Sequence, residues 1–419
     1  MHIVMLSDAE TEGGAAIAAS RLAQGLIEAG QKVTRLVAFP DGKEHLWNTS
    51  SFMSPSPPPI GKRIIRRLLP DGQRRAWDHS VVHNGLNAML DSLSPDVINV
   101  HNLHKAAGEN WSAELARICA DHAPTVWTLH DMWSFTGRCA YSYDCKKFLT
   151  GCDSTCPTPE EHPPLAPDRI AHAWNERRRL LYSSSNLTAV APSRWLAREA
   201  KEGLWADRRV EVIPYGLPLD VYYPVKRALA REALGINMTG PVLLMAAQFL
   251  TERRKGGEIL ERALRQLSRR PLTVVTLGAG RLGFQAEGVH VHDLGYVDHE
   301  RTKVLAYSAA DLFVHPAPVD NLPNVVLESL ACGTPVVGFA IGGMPDMVRP
   351  GKTGWLSDSV SSEALANTLR DALMALDHGM NLRDSCRAVA EAEYDSSLQA
   401  RHYLALFRSL TNRDQAACK

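Results

Sequence analysis

The chain has 419 residues, which is enough for two domains that each bury a core of their own. Its 46 basic and 46 acidic side chains balance, which argues against a general nucleic-acid binder. No apolar run approaches the ~18 residues of a membrane-spanning helix. The first residues, MHIVMLSD, lack the basic flank of a signal peptide, so we predict a cytoplasmic protein without disulfides, in which the sequons at Asn48, Asn186 and Asn237 are not used.

The first half of the chain alternates apolar runs with amphipathic helices, a pattern that is typical of a buried parallel sheet. A strand over 2–6 leads into a polar loop that ends in Gly13-Gly14, and a helix over 15–29 follows. Glycine at this point is typical of a tight turn from strand to helix. The other strands predicted here cover 32–39, 96–100, 125–129, 187–192 and 210–214, with a helix over 168–183.

A basic segment at 60–77 follows a Ser/Pro-rich stretch at 50–60, which we expect to be an exposed loop. Apolar side chains recur in this segment at helical spacing and are flanked by Lys62, Arg63, Arg66 and Arg67. Such a helix can lie on an anionic bilayer, but an ordinary solvated helix has the same pattern. The first interpretation predicts peripheral contact with the inner face of the plasma membrane.

Histidines follow two of the predicted strands. His101 and His104 come after the strand over 96–100, and His130 comes after the strand over 125–129. Ligands of open α/β sheets bind at the carboxyl ends of the strands, so these histidines are candidates for a binding site. The alternative is a structural role, which is the more common one for a lone buried histidine.

Four cysteines lie in one loop, 137–157. They are Cys139, Cys145, Cys152 and Cys156. In a cytoplasmic protein such a cluster predicts a structural zinc ion held by four thiolates, without an open position for catalysis. The spacing differs from that of paired CxxC knuckles, and reduced cysteines or adventitious disulfides in a small loop are the alternative.

The second half restarts the same pattern after a stretch at 215–224 that resembles an interdomain linker, with prolines, a glycine and no periodicity. The predicted strands cover 242–246, 272–277, 289–294, 310–314 and 336–339, and the predicted helices include 300–309, 361–376 and 397–410. Gly278, Gly280 and Gly283 form a GxGxxG. We reject a dinucleotide-binding fingerprint because no helix pattern follows it.

The segment 315–343 is the most informative stretch of the chain. Here a strand, a proline-rich loop, a helix from Asn324 and a further strand follow one another. The helix N-terminus favours a phosphate, and Asp320 and Glu328 lie eight positions apart, so both can face one ligand and accept from sugar hydroxyls. The alternative is that Asp320 caps the loop and Glu328 is a solvated helix residue.

This segment, DNLPNVVLESLACGTPVV, resembles the E-x7-E element of retaining GT-B glycosyltransferases of family 4, with aspartate at the first acidic position. The resemblance covers nearly the whole chain, and the cysteine loop is similar to loops in a bacterial branch that builds surface polysaccharides. It implies an α/β fold, GT-B, with two Rossmann-like doubly wound domains that face each other across a cleft. We expect these domains at 1–215 and 216–395, with a C-terminal helix, 396–419, that crosses back to the first.

The resemblance also implies roles for individual residues. His130 is expected to orient the donor sugar, and Lys255 is expected to bind the diphosphate with Arg253 or Arg254, because Gln248 or Phe249 falls at the usual arginine position. The catalytic set that it implies is His130, Asp320 and Lys255. The donor-binding set that it implies is Gly13, Gly14, Arg254, Lys255, Asp320, Asn321, Leu322, Asn324 and Glu328.

The activity that the family implies is transfer of a hexose with retention from a nucleotide diphospho-sugar, a UDP-sugar first and GDP-mannose second. The acceptor is expected to be a glycan or a polyprenyl-diphosphate-linked oligosaccharide in exopolysaccharide or lipopolysaccharide biosynthesis. No catalytic metal is expected, and the chain has no Asp-x-Asp motif of the metal-dependent GT-A class. The alternatives are a nucleotide-sugar 2-epimerase of the same architecture and a non-catalytic partner subunit that binds no donor.

Overall fold

The computed structural model describes residues 1–52, 70–104, 113–237, 240–267, 271–283 and 287–417, with the backbone alone for 71–78 and 413–417. The chain divides into two compact units. Unit 1 comprises Met1–Ile213 and Gln399–Lys419, and unit 2 comprises Pro214–Leu398. No helix in these described ranges combines the length and the apolar composition that crossing a membrane requires.

The described part of unit 1 contains a seven-stranded, fully parallel sheet. Its strands are β1 (His2–Ala9), β2 (Lys32–Phe39), β3 (Asn48–Ser51), β4 (Val97–Val100), β5 (Thr125–Thr128), β6 (Leu187–Ala191) and β7 (Val210–Val212). They lie in the order β3-β2-β1-β4-β5-β6-β7. The central strands are buried on both faces, which explains their nearly continuous apolar sequences.

Helices cover both faces of this sheet. They are α1 (Gly14–Glu28), α2 (Asp71–Leu93), α3 (Glu114–His122), α4 (Pro167–Ser183), α5 (Arg194–Glu202) and, at the end of the chain, α13 (Ser396–Ala417). From Ala400 onward α13 packs against β1 and α1 through Tyr403 and Phe407. The Tyr403 hydroxyl lies 2.8 Å from Thr128 Oγ1 at the end of β5. The last helix of the chain is therefore part of the core of unit 1.

Unit 2 contains a six-stranded parallel sheet among its described residues. Its strands are β8 (Val242–Phe249), β9 (Leu272–Ala279), β10 (Val289–Asp293), β11 (Leu312–His315), β12 (Val336–Phe339) and β13 (Gly354–Ser357), in the order β10-β9-β8-β11-β12-β13. Its helices are α6 (Arg227–Ala233), α7 (Gly257–Gln266), α8 (Glu300–Ala309), α9 (Asn324–Ala331), α10 (Met344–Met347), α11 (Ser362–Asp377) and α12 (Arg383–Glu393).

Both sheets reverse their strand order at one point, between β1 and β4 in unit 1 and between β8 and β11 in unit 2. Numbered within each unit, the order begins 3-2-1-4-5-6, which is that of a doubly wound Rossmann sheet. The predicted class, α/β with two Rossmann-like doubly wound units, is confirmed. Ligands of such sheets bind at the carboxyl ends of the strands beside the reversal, so these two points are where a site is sought.

Some local expectations were wrong. The first strand continues to Ala9, which shortens the predicted loop, and residues 50–51, assigned to an exposed loop, belong to the edge strand β3.

The stretch at 215–224, expected to be an interdomain linker, begins just after the division between the two units at Ile213 and Pro214. Within unit 2, Arg387 donates to the carbonyl oxygens of Leu219 and Tyr222. Residues 60–69 of the basic segment lie outside the described residues, so membrane contact through 60–77 stays a prediction.

Candidate functional site

Two glycines hold the loop that follows β11 in unit 2. Gly256, at the end of the 3-10 turn Arg253–Lys255, has φ +75°, and a Cβ there would lie 1.9 Å from the Pro316 oxygen. Gly342, after β12, has φ +52°, and a Cβ there would lie 1.8 Å from the Asp320 oxygen. Only glycine combines this backbone conformation with so close an approach. The loop over 316–323 is therefore held on both sides by segments that follow neighbouring strands.

The closest charged contact in this region joins the loops after β8 and β11. Lys255 Nζ donates to Asp320 Oδ2 at 3.0 Å, and Arg254 Nη1 lies 3.8 Å from the same oxygen. His315 Nε2, at the end of β11, is 3.5 Å away. The other oxygen, Oδ1, accepts from the backbone N–H of Asn321 at 2.9 Å. The reversal point of the unit 2 sheet thus carries two cations around one buried carboxylate.

The charges of this cluster are set by its neighbours. Burial alone raises the pKa of Asp320, but the charge of Lys255, and after it His315 and Arg254, hold that pKa well below its usual value. Burial lowers the pKa of His315, so its imidazole is neutral at neutral pH. Asp320 is therefore an anion whose lone pairs are directed by Lys255 and the loop backbone.

The structure shows which of the two candidate arginines lies near Asp320 together with Lys255. Arg254 points toward Asp320 and also donates to Glu252 at 3.0 Å, whereas Arg253 is exposed. Gln248 and Phe249, which fall at the position of the usual arginine, are exposed at the end of β8. Of the two candidates, Arg254 is the one that lies in the cluster.

Glu328 lies on α9, the helix that follows the Asp320 loop, and only 6% of the residue is exposed. The alternative of a solvated helix residue is therefore wrong. The Tyr307 hydroxyl, from α8, donates to Glu328 Oε2 at 2.9 Å. Burial, and next the charge of Glu328, raise the pKa of Tyr307 well above its usual value, so Tyr307 stays protonated and fixes the orientation of the carboxylate.

The other predicted donor-binding residues of unit 2 lie on the same loop and helix. Asn321 and Leu322 are buried, and Asn324 is the first residue of α9. Because the Leu322 side chain is buried, only the backbone of this residue is available to a ligand. The structure therefore places these residues on the loop and helix that also carry Asp320 and Glu328, and it brings Lys255 and Asp320 into direct contact.

In unit 1 a buried network fixes the backbone before Gly13 and Gly14. Glu10, just after β1, accepts from Trp47 Nε1 at 3.0 Å, from the Thr49 hydroxyl and from the Asp41 backbone N–H at 3.2 Å. Its own carbonyl oxygen accepts from the buried Arg35 at 2.8 Å. Gly13, at φ +91°, precedes α1, and Gly14 begins that helix. The glycine pair therefore begins α1 directly after a loop whose backbone is fixed by hydrogen bonds to neighbouring side chains.

Two histidine contacts lie at the carboxyl ends of β4 and β5. His101 Nδ1 is 2.9 Å from His130 Nε2, and His104 Nε2 is 2.7 Å from Asp131 Oδ2. Asp131 Oδ1 accepts from the Trp133 backbone N–H at 2.9 Å. All four side chains are at least nine-tenths buried. The strand-end histidines that the sequence singled out thus form one cluster in the reversal region of unit 1.

The two contacts differ in charge. Burial lowers the pKa of His130 to about 4 and that of His101 well below its usual value, so both imidazoles are neutral at neutral pH. Burial also acts to lower the pKa of His104, but the charge of Asp131, with a smaller contribution from Asp8, raises it. The pKa of Asp131 is lowered by His104 against the effect of burial. A neutral histidine pair therefore lies beside an ion pair.

The cysteine loop does not fit a zinc site in the arrangement observed. Zn–S bonds of about 2.3 Å place four thiolate sulfurs about 4 Å from one another. Among the described residues, groups of three possible ligand atoms within 4.8 Å occur at Glu10/Asp41/His45 and at His79/His83/Glu114, and none in the loop that carries Cys139, Cys145, Cys152 and Cys156. Burial raises the pKa of Cys152 to about 12, and its sulfur accepts from the Gly137 N–H. No three of the four sulfurs lie within 4.8 Å of one another in this arrangement, and zinc binding by the loop stays a prediction.

Sequence reasoning missed four residues of the two clusters. Asp8 and His315 lie at strand ends, so the rule that led to His130 would also have found them. Asp131 follows His130 directly, but its pairing with His104 joins two strands and leaves no signal in the sequence. Tyr307 is an unremarkable position inside α8, and only the fold brings it to Glu328.

Family models match both halves of the chain. The model described as Glycosyltransferase Family 4 matches residues 12–221, which is half of the chain. The model described as Glycosyl transferases group 1 matches residues 240–375. The histidine cluster of unit 1 lies inside the first match, and the Lys255–Asp320 pair of unit 2 lies inside the second.

Curated relatives cover part of the chain. It is 29% identical over 255 residues to a putative colanic acid biosynthesis glycosyl transferase, WcaC, of Escherichia coli K12, which covers 58% of this chain and 59% of that protein. It is 33% identical over 195 residues to a D-inositol 3-phosphate glycosyltransferase of Geodermatophilus obscurus, which covers 42% and 43%. The matches therefore span about three fifths or less of these relatives' lengths.

Solved structures are similar over nearly the whole chain. A sucrose-phosphate synthase from Thermosynechococcus elongatus superposes with a TM-score of 0.73 at 20% identity and covers 99% of this chain and 100% of that one. Anabaena HepE in complex with UDP-glucose gives a TM-score of 0.68 at 17% identity and covers 98% and 100%. At these identities the likeness concerns the fold.

Proposed function

Since the chain belongs to glycosyltransferase family 4, we propose that it transfers a hexose, with retention, from a nucleotide diphospho-sugar to a glycan or lipid-linked acceptor. The predicted GT-B fold, in the sense of two Rossmann-like units, is confirmed. A UDP-sugar is the proposed donor because HepE, of similar fold, binds UDP-glucose, and GDP-mannose is the second candidate. The colanic acid relative supports an acceptor in surface polysaccharide biosynthesis, free or linked to a polyprenyl diphosphate.

One observation carries this proposal, the contact between Lys255 and Asp320 with Arg254 beside it. Lys255 and Arg254 are 19% and 30% exposed at their side chains, whereas Asp320 is 9% exposed. The cations therefore lie on the solvent side of the carboxylate, where a diphosphate would meet them. This is the arrangement that a site needs when charge develops on a leaving phosphate.

The proposed mechanism follows from these positions. As the bond between the sugar and the diphosphate breaks, negative charge grows on the leaving phosphate, and Lys255, Arg254 and the N-terminus of α9 stabilise it. Asp320 accepts from hydroxyls of the donor sugar. Glu328, oriented by Tyr307, accepts from the ribose hydroxyls. Each of these acceptors is held by other protein groups before the donor binds, so little rearrangement is needed.

In unit 1, we assign His130 the role of orienting the donor sugar. Its imidazole is neutral at neutral pH, so it can interact with a hydroxyl as donor or as acceptor, according to its tautomer. The contact with His101 fixes the ring plane. Gly13 and Gly14, at the start of α1, are proposed to let the donor approach the backbone closely.

The test is a product assay with the purified full chain in EDTA. UDP-glucose, UDP-galactose and GDP-mannose are each incubated with a polyprenyl-diphosphate-linked monosaccharide, and nucleoside diphosphate release and the anomeric configuration of the product are measured by NMR. We expect one donor to yield an α-linked product. An isomerised nucleotide sugar without acceptor would instead establish an epimerase, and the absence of any donor binding would establish a non-catalytic subunit.

A further inference from the structure

A cavity lies in unit 2, at the end of the sheet opposite the Lys255–Asp320 pair. Its wall includes Pro241, Asp311 and Pro335, which directly precede β8, β11 and β12. Because the strands are parallel, their amino ends lie at one end of the sheet, and the loops that carry Lys255 and Asp320 lie at the other end. The cavity has a volume of about 660 Å³, within the range of small-molecule sites. It is therefore large enough for a ligand and separate from the proposed donor site.

Three arginines line this cavity, Arg227 and Arg231 from α6 and Arg383 from α12. Arg231 Nη2 and Arg227 Nη1 contact the two oxygens of Asp311 at 2.7 Å and 3.0 Å. Asp311 also accepts from the Val242 backbone N–H at 2.7 Å. One carboxylate is thus shared by two guanidinium groups and a backbone amide, and the three arginines outnumber the two carboxylates that line the cavity, Asp311 and Asp377.

Arg383 lies at the same wall and donates through Nη2 to a neutral carbonyl oxygen, that of Val225. Burial, and next the charge of Arg227, lower its pKa. Within the described part of the chain, Arg383 Nη1 and Arg227 Nε are both buried without a hydrogen-bond acceptor. An anion bound beside the two guanidinium groups would offset the repulsion between their charges.

The remaining wall is partly apolar, and Asp377 and Asn381 also line it. Leu373 and Leu376 of α11 and Leu382, which precedes α12, line the cavity beside the arginines. A ligand that fills this volume would place its charged group against the guanidinium groups and a less polar body along the leucines. Guanidinium suits phosphate better than a simple point charge does, because its planar N–H groups can pair with two oxygens at once.

We propose that this cavity binds a small organic phosphate, with the phosphate between Arg227 and Arg383 and the organic body along Leu373 and Leu376. The site is distinct from that of the nucleotide sugar, so its occupant does not compete with the donor. The cavity walls begin β8 and β11, and the donor-binding loops end the same two strands.

The test uses phenyl phosphate as the probe, titrated into the full chain by calorimetry in the presence of saturating UDP, which occupies the proposed donor site. We expect saturable binding that Arg383→Gln and Arg227→Gln each weaken by tenfold or more. The matched control is Arg262→Gln, on α7 of the same unit, whose side chain is 70% exposed. This control should bind the probe as the unaltered chain does.

Several outcomes would overturn the proposal. These are the absence of saturable binding, wild-type affinity in both arginine variants, an equal loss in Arg262→Gln, and displacement of the probe by UDP, which would assign it to the donor site. Arg227 is partly exposed, so its replacement should leave the fold intact even where that of Arg383 does not. Thermal unfolding of each variant identifies misfolding, and Arg227→Gln alone then decides.

Discussion

The reversal points of the two sheets have the same topology but different chemistry. In unit 2, the loops after β8 and β11 bring together Lys255, Arg254 and a buried Asp320. In unit 1, the ends of β4 and β5 bring together a neutral histidine pair and an ion pair between His104 and Asp131. The same backbone arrangement therefore presents cations in one unit and mainly neutral donors and acceptors in the other.

From this difference we expect the two units to bind different parts of a donor. A diphosphate needs positive charge that is partly exposed, and unit 2 supplies it. A sugar hydroxyl pairs with a neutral donor or acceptor, and the neutral His130 is the group proposed for it in unit 1. The fold sets where a ligand lies, and the side chains at the strand ends set which ligand it is. The predictions below disturb one half at a time.

The largest effect is expected from Gly342→Ala in unit 2. The new Cβ would lie 1.8 Å from the Asp320 oxygen, so the Asp320 loop or the segment after β12 must shift and disturb the contact with Lys255. We expect donor binding to be lost and the free energy of unfolding to fall by more than about 3 kcal/mol. Titration with UDP and thermal unfolding measure the two effects.

Gly351→Ala is the matched control for that substitution. Gly351 also has a positive φ, +72°, but a Cβ there meets nothing within 4 Å. It should cost about 1 kcal/mol of backbone strain and leave UDP binding unchanged. Equal effects of both substitutions would contradict the steric argument for the loop.

Lys255→Ala should come next. Removing the cation nearest to Asp320 should lower kcat/KM by about 10²–10³-fold, because stabilisation of the leaving phosphate is lost. Lys352→Ala, at an exposed lysine of the same unit, is the control and should leave kcat/KM unchanged. Steady-state kinetics with the donor identified above measures both, and a loss of less than threefold in Lys255→Ala would refute the assigned role.

In unit 1, the histidines predict how stability depends on pH. His130 has a folded pKa of about 4 against 6.5 for the unfolded chain, so stability is present above pH 6.5 and is lost as the pH falls toward 4. This loss amounts to ~3 kcal/mol for His130. His130→Asn should remove that part of the loss in denaturation experiments between pH 7 and pH 4.5.

His104 is expected to change the pH dependence of stability in the opposite direction, so it provides the internal control. Its pKa is raised by Asp131, so its contribution is present below pH 6.5 and is lost as the pH rises through the folded value. His104→Asn should therefore flatten the curve on the alkaline side. It also removes the charge that lowers the pKa values of Asp131 and His130, so a change on the acid side is expected as well. An unaltered alkaline side would show that the assignment of a charged His104 is wrong.

The smallest effect is expected from Tyr307→Phe in unit 2. It removes the hydroxyl that donates to Glu328 and should raise the donor KM by about five- to tenfold, corresponding to about 1 kcal/mol. Tyr182→Phe, at a residue that is 91% exposed, should leave KM unchanged. An unaltered KM in Tyr307→Phe would mean that Glu328 needs no orienting partner.

Much of the fold could be predicted because its strands are buried on both faces. Runs such as Phe313-Val314 and Val336-Val337 are apolar throughout, and their order along the chain gives the βα alternation. The edge strand β3 could not be predicted in this way, since its residues, Asn48–Ser51, are polar and half exposed. Its position follows from pairing with β2, which is a contact between distant residues.

The candidate site could be predicted only where one segment carries it. Asp320 and Glu328 share a loop and a helix, so their spacing indicated a common ligand. The choice of Arg254 over Arg253 depends on which way each side chain leaves a 3-10 turn, and the sequence leaves that open. The zinc prediction rested on the number of cysteines in one loop, and the sequence leaves open how far apart that loop places their sulfurs, of which no three lie within 4.8 Å of one another.

The central claim is that the Lys255–Asp320 cluster of unit 2 binds the diphosphate of a nucleotide sugar. Calorimetric titration of the full chain with UDP and with GDP, in EDTA, beside Lys255→Ala and Glu328→Ala, tests it most directly. We expect micromolar binding of one nucleotide that both substitutions weaken at least tenfold, while Lys352→Ala binds normally. Binding of neither nucleotide, or equal binding in all variants, would contradict the account.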